Sequence, residues 1–386
     1  MSLLFNLQPE FDNRMPYILL FLLSNSGLQE LLLLYWLHNF FDINLFGYIT
    51  IRAGVSFFLA LFFTLFLLPH FIKWAKRTSS VQPINSLAPQ SHLTKNKTPT
   101  MGGIVFIFST LLASILTVKL TNLFVIGALL TIVLFAIIGF YDDFAKIKKA
   151  ENLAGFKART KLMLQIFSSI IVTSYLVLFA DFNTQLYIPF IKTAVVDMGT
   201  FSMAFWILVI IATSNAVNLT DGLDGLATVP SITALASFSV IIYITGHSVI
   251  SSYLLMPHFE VGEVAIVATA FMGALTGFLW YNCHPAEIFM GDSGSLTIGA
   301  FLGYLAIISK SEFLLLLIGF IFVMETLSVI LQVGSFKLRK KRVFLMAPIH
   351  HHFEMKNWAE NKIIVRFWII SVLSNIVALI ISLKIR

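Results

Sequence analysis

The sequence predicts an all-α, polytopic integral membrane protein with about ten transmembrane helices. Three observations predict it. Of 386 residues, 58% are hydrophobic and 12% are charged. That is about half the charged share of a soluble domain, too few charges to cover a surface that faces water. Phe-rich and Leu-rich runs recur along the chain, and each approaches the roughly 20 apolar residues that a spanning helix needs. The basic residues are also segregated, with eighteen of the 26 Lys and Arg in three loops. A soluble globular enzyme, a disordered chain and a disulfide scaffold are thereby excluded. Cys283 is the sole cysteine and can form no internal bridge.

The spans fall near 51–72, 102–118, 123–141, 162–180, 199–217, 226–246, 262–281, 295–309, 313–334 and 363–383. The segment 295–309 is short and contains Gly. The loops 73–100, 142–161 and 335–362 carry the eighteen basic residues, whereas the intervening loops carry Lys119, Lys192 and Lys310. Lys and Arg accumulate on the cytoplasmic side. This places 73–100, 142–161, 218–225, 282–294 and 335–362 in the cytoplasm and both termini in the periplasm. The formal net charge of +7 then reports topology, and nucleic acid is not needed to explain it. Two domains of unequal size result: an N-terminal extension over 1–50 and a ten-helix domain over 51–386. In the extension, apolar residues 17–23 and 28–37 flank Ser24-Asn25-Ser26-Gly27, which suits an interfacial helical hairpin. Glu10 and Asp12 beside a single Arg14 do not suit a cleaved leader.

The unusual polar clusters lie on the predicted cytoplasmic loops. A transporter is expected to place such groups near the bilayer midplane, on broken helices. Groups at one membrane surface suit a soluble substrate meeting a lipid substrate. Asp142 and Asp143 follow directly on a span. Adjacent carboxylates at the negative end of a helix dipole are unfavourable without a cation, and Mg²⁺ accepts such oxygen ligands. The bland alternative is a solvated pair beside Lys146, Lys148 and Lys149. The run Asn215 to Gly225 holds Asn218, Asp221 and Asp224 with Gly after each Asp. It offers tight turns and oxygens for a metal or for ribose hydroxyls, or else serves as a polar connector. It lacks the spacing of an EF-hand.

Pro285 to Ser295 includes Gly291-Asp292-Ser293-Gly294-Ser295. A loop of this kind opening onto a helix presents free backbone N–H groups to phosphate. Asp292 can hold a metal there, and Phe289 can stack on a base. A Ser-capped helix start is the simpler reading. Pro348-Ile349-His350-His351-His352-Phe353-Glu354 lacks zinc-site spacing, but its imidazoles can donate to a diphosphate. Lys95-Asn96-Lys97-Thr98-Pro99-Thr100-Met101-Gly102-Gly103 places Lys and Thr ahead of a helix, where an anion is favoured. Glu325 and Gln332 lie seven apart and share a helix face. An acid within a span costs about 2.5–3.5 kcal/mol, so Glu325 should face the bundle interior. Gln332, near the cytoplasmic end, can reach a ligand.

Taken in order, Thr98 to Gly103, Asp142-Asp143, Asn215 to Ala227, Phe289 to Ser295, Glu325 to Lys337 and Ala347 to Glu354 resemble the phospho-N-acetylmuramoyl-pentapeptide transferases. These belong to the polyprenyl-phosphate N-acetylhexosamine-1-phosphate transferase superfamily. The resemblance runs from about residue 31 to the C-terminus. Sister enzymes that transfer simpler UDP-HexNAc sugar phosphates share the Asp pairs but lack this histidine stretch. The first 30 or so residues extend beyond the usual start, and Cys283 and His284 sit where the family pattern is loose.

The resemblance implies a multi-pass protein of the bacterial inner membrane, with UDP-MurNAc-pentapeptide and undecaprenyl phosphate as substrates. It implies lipid I and UMP as products, Mg²⁺ as cofactor and a homodimer as the assembly. It gives Asp292 the metal and Asp142 or Asp143 the lipid phosphate. Lys95, Thr100, Lys146, Asn218, Asp221, Asp224, Phe289 and Gln332 would line the nucleotide and sugar site, with Lys161 a weaker member. His351 and His352 would meet the diphosphate or sugar. The lipid phosphate is largely ionised at neutral pH, its second pKa being about 6 by analogy with phosphoserine. Direct attack on the sugar-linked phosphorus is therefore expected, rather than an aspartyl-phosphate intermediate.

Overall fold

The computed structural model describes residues 44–77, 98–149, 155–191 and 193–384. The expected hairpin near the N-terminus, Lys95 and Lys97 lie outside these. A short 3₁₀ turn at Asn44–Gly47 leads into α1 (Ile49–Arg77). Then come α2 (Gly103–Thr117), α3 (Leu123–Lys149) and α4 (Ala158–Leu178). Two-residue strands β1 (Gln185–Leu186) and β2 (Val196–Asp197) pair antiparallel. The chain continues through α5 (Phe201–Thr220), α6 (Thr228–Thr245), α7 (Ser248–Tyr253), α8 (Val264–Asn282) and α9 (Gly291–Ile308). It closes with α10 (Leu315–Ile318), α11 (Phe320–Arg339), α12 (Ile349–Glu354) and α13 (Glu360–Lys384). Among the described residues nine helices are long and apolar enough to cross a membrane, and α2 is a shorter apolar helix. The expected all-α polytopic class is correct.

Three boundaries differ from the sequence reading. Helix α3 does not end at Tyr141 but continues to Lys149, so Asp142 and Asp143 sit on it rather than in a loop after it. Hydropathy marks where a helix leaves lipid, not where its backbone hydrogen bonds stop. The Asp142–Lys146 pair, at i and i+4, supports the extra turns. The segment expected as one span over 313–334 is broken at Gly319 into α10 and α11. Helix α9 starts at Gly291, not Ser295, which draws Asp292 into its first turn.

Helix α9 is the centre of the bundle, with nearly its whole length buried. It packs against α3, α5, α2 and α6. A second layer joins α1 and α8, with α2 against both. Small residues permit these approaches, as is usual between membrane helices. At Gly139 on α3 a Cβ would lie 2.4 Å from the Asp292 carbonyl oxygen and the Ser293 Cα. That glycine lets α3 lie directly on the N-terminus of α9 and so sets the distance between the Asp142-Asp143 pair and Asp292.

Candidate active site

The first turn of α9 is held from α3. Asp143 accepts the backbone N–H of Asp292 at 3.0 Å and that of Ser293 at 2.9 Å. Two of the N–H groups that a helix start leaves unpaired are thereby capped by a side chain from another helix. A local serine cap is absent: Met290 occupies the cap position with no side-chain bond. Gly291 has φ +74° and its Cβ would fall 2.6 Å from Asp143 Oδ2, so the turn needs glycine in both conformation and volume.

Asp292 is the hub. Its Oδ2 receives Lys146 Nζ and Lys161 Nζ, each at 2.7 Å. Its Oδ1 receives Asn218 Nδ2 at 2.7 Å, and the same amide reaches Ser295 Oγ at 2.8 Å. Asp142 Oδ2 shares Lys146 at 2.7 Å and lies 3.8 Å from Lys161. Asp142 Oδ1 accepts the Phe156 N–H at 2.6 Å. The side chains of Asp292, Lys146 and Lys161 keep 14%, 19% and 17% exposure, against 2% for Asp142. The cleft is therefore lined by Asp292 and the two lysines, with Asp142 and Asp143 behind them.

Ligand atoms of Asp142, Asp143 and Asp292 lie within 4.8 Å of one another. Three hard carboxylate donors in a partly exposed cleft fit Mg²⁺ rather than a thiophilic metal. Asp221, in the turn after α5, is pushed up to about 8 by desolvation and then by the charges of Asp292, Asp143 and Asp224. The negative field of the cluster thus reaches this turn as well.

The remaining expected residues divide. The buried Thr100 hydroxyl lies near Gly291 and Asp143. Phe289 is placed by its backbone: its N–H donates to Pro99 O and its carbonyl accepts from Gly102, each at 2.9 Å. Gln332 is occupied with the chain after α11, bonding the backbone of Val343 and Phe344. His351 Nδ1 meets Glu354 at 2.6 Å. His352 Nδ1 accepts the Leu345 N–H at 3.1 Å, which leaves its proton on Nε2 as a donor. Desolvation and Lys356 hold this imidazole below its usual pKa.

Two histidines have partners that sequence reasoning did not assign. His350 is fully buried, its Nδ1 3.2 Å from Glu325 Oε1, and it packs against Gly222. The unpaired acid in a span was the available signal for that contact. His284, which received no chemistry, bonds Asp224, and nothing in the local sequence announces this. Lys161 is a direct partner of Asp292 rather than a peripheral residue.

Comparison with known proteins follows the same lines. Residues 125–310 match the model of glycosyl transferase family 4. Residues 95–107 match signature 1 of the phospho-N-acetylmuramoyl-pentapeptide-transferases. The chain is 73% identical over 354 residues to the phospho-N-acetylmuramoyl-pentapeptide-transferase of Sulfurimonas denitrificans, covering 92% of this chain and 100% of that one. It is 64% identical to that of Nitratiruptor sp. over 355 residues and 58% identical to that of Campylobacter hominis over 355, each covering 92% of this chain and 100% of the relative. With a central glycine-seated Asp292, two lysines upon it and relatives matched end to end, the chain belongs to the phospho-N-acetylmuramoyl-pentapeptide-transferase family.

Proposed function

We propose that this membrane enzyme transfers phospho-MurNAc-pentapeptide from its UDP donor to undecaprenyl phosphate, giving lipid I and UMP. The observation that carries the reading is Asp292. It stands at a helix N-terminus between Lys146, Lys161 and Asn218, with two further carboxylates behind it. This cleft is at the bundle end that bears the basic loops, the end that the positive-inside rule assigns to the cytoplasm. A soluble nucleotide donor and a lipid headgroup can both arrive there.

The lysines supply positive charge to the diphosphate and to the incoming lipid phosphate. Asn218 and Asp143 fix the Asp292 carboxylate and its backbone, so positioning precedes chemistry. Asp142 and Asp143 hold Lys146 and the α9 turn, and one of them would orient the lipid phosphate. Asp292 would hold Mg²⁺, with Asp142 adjacent, and the bound ion would supply charge neutralisation to the phosphates. The lipid phosphate oxygen forms the new bond to the sugar-linked phosphorus, and UMP leaves. Asp221, Asp224, Thr100 and Phe289 border the nucleotide. By the family resemblance Lys95 would join them, and His351, His352 and Gln332 would belong to the sugar side.

The test is UMP release by purified protein in detergent. Release that requires both substrates and Mg²⁺, and that fails with UDP-GlcNAc as donor, supports the reading. Release from UDP-GlcNAc at equal rate assigns the chain to a simpler sugar phosphate, and none from either donor overturns the enzyme itself.

A further inference from the structure

A second constellation lies in the turn between α5 and α6, outside the bonds to Asp292. Asp224 has a side chain 1% exposed. Its Oδ2 accepts from His284 Nδ1 at 3.0 Å and from the Ala286 N–H at 3.1 Å. Its own N–H donates to Glu360 Oε1 at 3.2 Å. The other Glu360 oxygen is 3.7 Å from His284 Nδ1. Two carboxylates face one ring nitrogen. Ionised carboxylates only accept, so Nδ1 must carry a proton.

These contacts join three segments that are distant in sequence. Asp224 belongs to the α5–α6 turn, Glu360 begins α13, and His284 and Ala286 open the α8–α9 loop. Five residues after His284 that loop presents Phe289, and it then enters α9 at Gly291 and Asp292. Trp368 Nε1 adds a bond to the Gly225 carbonyl at 3.1 Å. The trio therefore fixes both Asp224 and the start of the segment that carries Phe289.

We propose that His284 is a positioning residue for the nucleoside end of the donor. It orients Asp224 and, through the α8–α9 loop, Phe289, and so governs nucleotide affinity rather than the transfer step. This rests on the reading above, in which Asp224 and Phe289 border the nucleotide. Without His284, two acidic groups face each other and Asp224 loses the ring N–H that it accepts. A buried group deprived of its partner costs about 1–3 kcal/mol, or roughly 5- to 150-fold in affinity.

The experiment measures donor KM, kcat and UMP inhibition for wild type, His284→Ala, His284→Asn, His284→Gln and Asp224→Asn. The expected result for His284→Ala is a rise of about tenfold in donor KM and in the UMP inhibition constant, within the range for a lost buried partner. Its kcat and its KM for undecaprenyl phosphate should stay within about twofold, a margin below the smallest loss expected of such a partner. Asn places its amide N–H near the Nδ1 position and should recover most of the affinity, whereas Gln reaches toward Nε2 and should not. If His284→Ala fails to fold, the contrast between Asn and Gln carries the test. Equal affinities in those two, or a fall in kcat with KM unchanged, overturn the proposal. So does a stoichiometric transition metal that is lost with His284, which would make the trio a metal site. If Asp224→Asn binds UMP like wild type, the nucleotide reading has failed. If Asp224→Asn weakens UMP and His284→Ala does not, that reading stands and this inference falls.

Discussion

At the end of the bundle away from the cleft, Arg52 on α1 meets Glu263 in a fork, Nη1 at 2.7 Å and Nη2 at 2.5 Å. Nη1 also bonds Thr117 O, and Glu263 takes the Lys119 N–H. One cation and one anion share a buried place with directional bonds on both. At the cleft, Asp142, Asp143 and Asp292 face two lysines, and Asp221 lies within the same negative field. The first arrangement is closed, because one cation meets one anion in a bidentate fork. The second sets three carboxylates against two lysines at the edge of a cleft, a surplus that a bound cation or retained protons relieve. Buried charge thus marks structure where it balances and chemistry where it does not.

The largest expected effect breaks the second arrangement. Asp292→Asn should lower UMP release by about 10²- to 10³-fold, the scale of losing a central electrostatic group, while gel filtration and thermal unfolding show a folded protein. Near wild-type turnover would remove Asp292 from the site. Next comes the closed pair. Arg52→Ala leaves a buried glutamate unpaired and should cost about 3–5 kcal/mol of stability, read as a lowered unfolding midpoint in detergent. The kcat of the folded fraction should hardly change. A large fall in kcat at unchanged stability would erase the distinction between the two ends.

A smaller effect is expected at the cap. Asp143→Ala removes the acceptor for two N–H groups of α9 and should cost about 1–2 kcal/mol. It should also reduce kcat, because Asp292 loses its backbone anchor. Unchanged stability would show that the cap contributes nothing. The smallest effect is a pH dependence. With its pKa raised to about 8, Asp221 keeps a proton on folding that the unfolded chain releases near pH 4. Native stability then declines as pH rises between those values and levels off above 8. In EDTA, Asp221→Asn should stabilise the protein more at pH 8.5 than at pH 6. A constant difference across that range would mean that Asp221 does not titrate within it.

How much of the site was legible depends on the kind of signal. Asp292, Asn218 and the Asp pair stand out because polar oxygens beside lipid are costly and need a reason. Lys161 does not, since among the clustered loop cations it looks like ordinary positive-inside charge. His284 and Glu360 carry no local mark, and only the fold places them on Asp224. Gln332 is legible as a polar residue on a suitable helix face, and the structure adds its bonds to the backbone of Val343 and Phe344.

The sequence by itself determined the class of protein, the approximate places of its apolar segments, and the concentration of basic residues in three loops. Those follow from hydropathy and charge, which are local and additive along the chain. Only the tertiary structure decided that Asp142 and Asp143 ride on a continuing helix, that Asp143 caps α9, and that Lys146 meets Asp292 across 146 positions. Such meetings depend on how closely helices approach. That distance is set by side-chain volume at contacts such as Gly139, which no window of sequence contains together.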